Sequence, residues 1–304
     1  MTAILALSGA WPAMAQKPYA PPRDVYGHPV LEGVWAARWL TNLERPAGTP
    51  LRLDAVAGAA RARELLTGRG GADNLDPEIS DPDANTLAIV GGEHRASLIV
   101  DPPDGRLPLT DAGRAYLRAL PAPGFDGPEA RLTNERCVAG VSNAGMLIAP
   151  AGMLKQVVQT RDHVVIHSEA FSELRVFAPG AGRQYVGLAT WGGEASARWD
   201  GDVLVVETSG FRPDDKVRAA PFSRFPIRPQ TRITERFSRS GPRELLYQFE
   251  VEDPELYTRP WRAEYAMVLT NERIFEFACH EGNYGLANIL SGAREEEKRA
   301  AAGR

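Results

Sequence analysis

Few of the signatures that announce a common chemistry occur in this 304-residue chain. It holds no Gly-x-x-x-x-Gly-Lys-Ser/Thr loop, no Gly-x-Gly-x-x-Gly after a strand, no Cys-x-x-Cys-His, no His-Glu-x-x-His and no Gly-x-Ser-x-Gly. Nucleotide-driven transfer, Rossmann redox chemistry, c-type haem, zincin proteolysis and the usual α/β-hydrolase all lose weight with them. An excess of one charge is missing too. The 35 basic against 39 acidic side chains leave a net charge of -4, so no broad basic field invites nucleic acid. Apart from its first sixteen residues the chain has no long uninterrupted apolar run, so no membrane span of about twenty residues is expected. Cysteine is scarce, with two residues, which excludes a disulfide-dense scaffold.

What is present is ordinary globular composition, 43% hydrophobic and 24% charged, with an excess of turn formers in 29 Gly and 24 Pro. Residues 1–15 read as a signal peptide, because the mostly apolar run from Ile4 to Met14 leads into Ala13-Met14-Ala15, a small-x-small cleavage form. A periplasmic or secreted protein is therefore expected. Export gives Cys137 and Cys279 a meaning, since an oxidising compartment turns two lone thiols into one disulfide. The competing reading makes one of them a nucleophile, but His280 beside Cys279 would point to the opposite face of a strand.

Residues 16–32, with Pro18, Pro21, Pro22 and Pro29, read as an extended arm before a single domain over 33–304. Its first part, 33–140, is irregular and partly helical. One helix follows Asp54 to Thr67, a short strand lies at Ser97–Val100, and a second helix is capped by Thr110 or Asp111. From about residue 145 the apolar period changes to two. Strands are expected at Gln156–Thr160, His163–Glu169, Leu174–Phe177, Ala197–Trp199, Val203–Thr208, Ile233–Ser238, Leu245–Glu252, Thr258–Met267 and Ile274–Cys279. Asp200-Gly201 supplies a hairpin turn. A long sheet with one dry face tends to curl and close, so the expected fold is mainly β: an antiparallel barrel of eight or nine strands, followed by a helix over 283–304.

An early Gly33-x-Trp35, a meander of about eight strands and a C-terminal helix together resemble the lipocalin or calycin class. Over most of the chain, the segments Asp101-Pro102-Pro103-Asp104-Gly105-Arg106, Glu135-Arg136-Cys137, Arg198-Trp199-Asp200-Gly201-Asp202, Thr258-Arg259-Pro260-Trp261 and Ala278-Cys279-His280-Glu281-Gly282-Asn283 resemble a large family of uncharacterised exported bacterial proteins. That resemblance implies export and carries no reaction.

Candidate chemistry falls in three places. His163, His167 and Glu169 have even spacing and would share one strand face, suiting acid/base work without metal, a metal site completed by His280 or Glu281, or an outward face opposite the apolar Val164 and Ile166. At the end of the last expected strand, His280 would exchange a proton and Asn283 or Tyr284 would orient a ligand; alternatively this segment anchors the disulfide and the final helix. Tyr247, Phe249, Tyr257, Trp261 and Tyr265 would form an aromatic stripe that lines a cavity or simply fills a core. Arg259 and Arg262 flank Trp261 as candidate anion holders. Glu235 and Glu276 lie in phase with apolar neighbours, where a carboxylate must be paired or have a raised pKa. The adopted reading is a cofactor-independent and metal-free lyase, isomerase or hydratase acting on a small apolar or aromatic compound. The alternatives are a non-enzymatic carrier and a structural envelope protein.

Overall fold

A computed structural model describes residues 19–68, 86–120, 124–138, 143–147, 154–183, 187, 189–220 and 223–303. The expected signal peptide lies outside the described residues. Strands β1 to β5 are Gly33–Ala36, Arg52–Leu53, Ile89–Val90, Glu93–Arg95 and Ile99–Asp101; β6 to β10 are Lys155–Gln159, Val164–Ser168, Glu173–Phe177, Glu194–Asp200 and Val203–Ser209; β11 to β15 are Val217–Ala220, Ser223–Pro226, Arg232–Gly241, Glu244–Glu252 and Trp261–Thr270. Helices α1, α2 and α3 are Ala55–Gly68, Asp111–Ala119 and Tyr284–Ala302.

The body of the molecule is one ten-stranded sheet in the order β8-β7-β6-β1-β15-β14-β13-β10-β9, with β5 paired to β15 off that path. Each pairing in it is antiparallel. Strict alternation makes it. On β13 and β14 the residues Ile233, Glu235 and Phe237, and Leu245, Tyr247, Phe249 and Val251, are buried, while their neighbours are not. The inward residues of most strands, from Val164 on β7 and Phe177 on β8 to Ala197 on β9, join one apolar cluster. Two local devices set the geometry. Gly201, at φ +57°, opens the two-residue turn between β9 and β10. Gly33 has φ +139°, a conformation that L side chains rarely adopt, and a Cβ there would lie 2.5 Å from Leu269 Cδ1, so glycine suits the start of β1 beside β15.

The early helices are read correctly: Asp54 accepts the Ala57 N–H at 2.8 Å and Thr110 accepts the Gly113 N–H at 2.8 Å. The small sheet β2-β4-β3 packs with α1, and a minor apolar cluster of Leu40, Ala62 and Leu87 lies there. One expected strand is absent: β15 ends at Thr270, and residues 274–279 have no strand partner. Their apolar side chains are not seated in the sheet, and Phe275 and Glu276 are exposed. Glu276 consequently faces water and needs no partner.

Candidate functional site

Inside the sheet the apolar lining is interrupted by a group of polar side chains drawn from six strands. Glu235 is fully buried on β13. The Arg175 guanidinium reaches it from β8 with both terminal nitrogens, Nη1 at 2.8 Å from Oε1 and Nη2 on Oε2. Tyr247 donates its hydroxyl to Glu235 Oε1 at 2.7 Å and accepts the Met146 N–H at 3.0 Å; Tyr265 donates to the Met146 carbonyl at 3.3 Å. Residues 143–147, all buried, thus lie against the two phenols. Burial and the neighbouring Glu235 charge hold both phenols well above the ordinary tyrosine pKa. Burial opposes the Arg175 charge, but Glu235 outweighs it and raises the guanidinium pKa. Lys155 on β6 is buried close by, with Nζ 3.2 Å from Ser168 Oγ. Burial, assisted by Arg175 and opposed by Glu173 and Glu169, lowers its ammonium to about 8. The carboxylate, the guanidinium and the phenols are committed to one another or to the Met146 backbone.

The accessible site lies at another part of the sheet, between the N-terminal arm, the β6–β7 turn and the chain leaving β8. Gln159, the last residue of β6, fixes the arm: its Oε1 accepts the Leu31 and Glu32 N–H groups and its Nε2 donates to the Pro29 carbonyl at 3.0 Å. Arg23 pairs with Asp202 in the β9–β10 turn. Held at both places, the arm lays the His28 ring on Trp199, with centroids 5.1 Å apart and planes 11° from parallel. His28, Trp199, His163, Asp162, Val164 and Pro179 wall a groove of about 490 Å³. Its chemistry is mixed, with a flat indole, two imidazoles and a carboxylate, so it can stack on an aromatic molecule and exchange a proton with it.

No protein-family model, curated protein or solved structure matches the chain. The function must accordingly be argued from these side chains.

The expected histidine site does not assemble. His163 lies before β7 at the groove, His167 lies on the outward face of β7 opposite Gln156 and Leu174, and His280 is exposed beyond the sheet. The physical reason is the phase of β7: Val164, Ile166 and Ser168 face inward, so His167 faces out. Glu169 follows the strand and is spent on backbone, accepting Leu154 N–H at 3.1 Å and Phe275 N–H at 2.9 Å. Among the described residues no three His, Cys, Asp or Glu side chains gather in an arrangement that could hold a metal ion.

The C-terminal candidates serve as an anchor. Cys137 and Cys279 form the expected disulfide. Asn283 donates to the Glu135 carbonyl at 2.8 Å and caps α3 by accepting Leu286 N–H at 3.2 Å, whereas Tyr284 is 75% exposed. The bridge joins two irregular segments, because residues 274–279 are not a strand.

Of the expected ligand-binding side chains, Tyr247, Trp261 and Tyr265 are fully buried. They pack ring on ring: Tyr247 lies 4.9 Å from Tyr265, and Phe249 lies 5.6 Å from both Tyr247 and Trp261. This stripe is core. Arg259 and Arg262 both bind Asp101, at 2.6 and 3.0 Å, so an internal carboxylate takes the place intended for a ligand anion.

Four residues of these two groups were not expected from the sequence, and three of them carried a signal there. Trp199 is in phase with the buried Ala197. Arg175 is in phase with Phe177, and the buried Glu235 required a cation. Lys155 is in phase with Val157 and stands one residue before the strand expected at Gln156–Thr160. His28 had no signal, because its place depends on how the arm docks.

Proposed function

We propose that this protein is an exported, lipocalin-like barrel that binds a small apolar or aromatic molecule in the groove of His28, His163 and Trp199. The observation that carries the reading is the His28–Trp199 stack in a groove of about 490 Å³, within the usual range for small-molecule sites. Closure of the sheet draws support from its two margins. The Gly180 N–H, just after β8, donates to the Ala197 carbonyl of β9 at 2.9 Å. Export draws support from the signal-like N-terminus and the disulfide, and among the described residues no helix is long and apolar enough to cross a membrane.

Carriage is favoured over catalysis because His163, His167 and His280 lie apart. A cofactor-independent lyase, isomerase or hydratase is the second reading, and one observation favours it: two imidazoles, His28 and His163, wall the same groove. One would remove a proton from the bound molecule and the other return it. Fluorescence titration with 1-aminoanthracene tests the binding site. The wild type binds saturably, and Trp199→Ala weakens binding about tenfold through lost stacking and apolar area. Equal binding by the variant removes the groove as the site.

A further inference from the structure

A second recess lies on different elements from the groove, and its chemistry is of another kind. It has a volume of about 750 Å³ and is walled by the segment 42–46, α1, the turn after β5 and the hairpin of β11 and β12. Four arginines line it, Arg45, Arg61, Arg106 and Arg224, against one acid, Glu44. In a chain of net charge -4 this concentration of guanidinium runs against the overall balance. We propose that the recess binds a small phosphate-bearing molecule.

These cations are poorly neutralised from within. Arg45 is 3% exposed, and its hydrogen bonds go to neutral groups: the Thr49, Ile99 and Pro103 carbonyls and the Ser97 hydroxyl. The Asp104 carboxylate acts on this charge from nearby without bonding to it, so a guanidinium hydrogen-bonded only to neutral oxygens is offset in part and still leaves positive potential at its surroundings. Arg106 and Glu44 lie 3.3 Å apart, but the same Glu44 oxygen also accepts the Leu107 N–H at 2.8 Å. Arg61 pairs with Glu64, whose side chain is 69% exposed and therefore screened by water. The Arg61 Nε–H is buried without an acceptor among the described residues. Arg224 is exposed on β12 and makes no ion pair among the described residues.

Four separate stretches of chain bring these forks together, so the cluster is not the polar face of one helix. Guanidinium forks match the tetrahedral oxygens of phosphate, and several forks around a concave wall favour a compact multiply charged ligand. Ser223, which accepts the Leu43 N–H at 2.9 Å, keeps its own proton to donate. A nucleic acid is the poorer fit, because the basic surface is a recess of small-molecule size on an otherwise slightly acidic chain.

The test is isothermal titration calorimetry of the full chain with inorganic pyrophosphate at fixed ionic strength, beside citrate and sodium chloride. The expected result is saturable pyrophosphate binding, weakened about tenfold or more by Arg224→Gln and by Arg61→Gln. Unliganded melting temperature should be unchanged in Arg224→Gln, whose side chain lies in water. Trp199→Ala should leave pyrophosphate binding intact, which separates this site from the groove. Heats equal to those of sodium chloride, binding indifferent to both arginine substitutions, or citrate bound as tightly as pyrophosphate would each overturn the proposal.

Discussion

The Arg175 guanidinium and the Glu235 carboxylate meet inside the sheet although their strands, β8 and β13, stand six places apart in the strand order. Neighbouring strands are spaced about 4.8 Å, so in a flat sheet the two would be separated by roughly 29 Å, far beyond the reach of both side chains. The sheet is therefore strongly curled, and this pair spans its interior. Arg175→Met leaves an uncompensated buried carboxylate and should cost about 3–5 kcal/mol in urea unfolding. Replacing both partners with apolar residues, Arg175→Met with Glu235→Leu, should restore most of that loss. Additive losses would show that the pair is not the coupling element.

Lys155 gives a pH signature. Its ammonium falls from the ordinary 10.5 to about 8 on folding. Below about pH 8 both folded and unfolded chains carry the proton, and folding bears the full burial penalty, about 3 kcal/mol. Between about pH 8 and 10.5 the folded state releases the proton first, so stability rises; above that range the penalty is gone. Lys155→Met should accordingly be more stabilising, or less destabilising, at pH 7 than at pH 10.5. A difference between wild type and variant that does not vary with pH contradicts the burial of a charged amine.

The disulfide closes a loop with a sequence separation of 142. In the chain-entropy model a loop of that length contributes at most about 5 kcal/mol. Cys137→Ser with Cys279→Ser should lower the melting temperature and raise hydrogen exchange in residues 271–302, while the sheet strands exchange as before. Equal loss of protection throughout the sheet would assign the bridge a larger role.

These relationships were legible in the sequence to different degrees. The hairpin at Gly201, the helix caps Asp54 and Thr110, and the alternation through β13 and β14 are local, and the chain states them locally. The strand expected at Ile274–Cys279 failed because a short apolar run has no period of its own without a partner, and the molecule uses Phe275 N–H to satisfy Glu169 instead. Phase, not residue type, decided the site. His167 and Ile166 are adjacent, and which of them faces inward depends on the register of β6 and β7. Glu235 could be recognised as a buried charge, but Arg175 could not be chosen as its partner until the curl of the sheet was known.

Gln159 holds the arm that carries His28. Gln159→Ala removes the acceptor of two backbone N–H groups and the donor to Pro29, and should raise hydrogen exchange at Leu31 and Glu32. The stability cost should be about 1–2 kcal/mol. Binding of 1-aminoanthracene should weaken as well, since the imidazole then stacks on Trp199 less of the time. Unchanged binding with a loosened arm would remove His28 from the site.

If the groove of His28, His163 and Trp199 carries a small molecule, the protein should retain it on purification. Native mass spectrometry of the protein purified from the cells that make it, beside Trp199→Ala prepared identically, reads this out. The wild type should carry a small-molecule adduct that is lost or sharply reduced in the variant. A bare wild-type mass, or an adduct that Trp199→Ala retains in full, would contradict it.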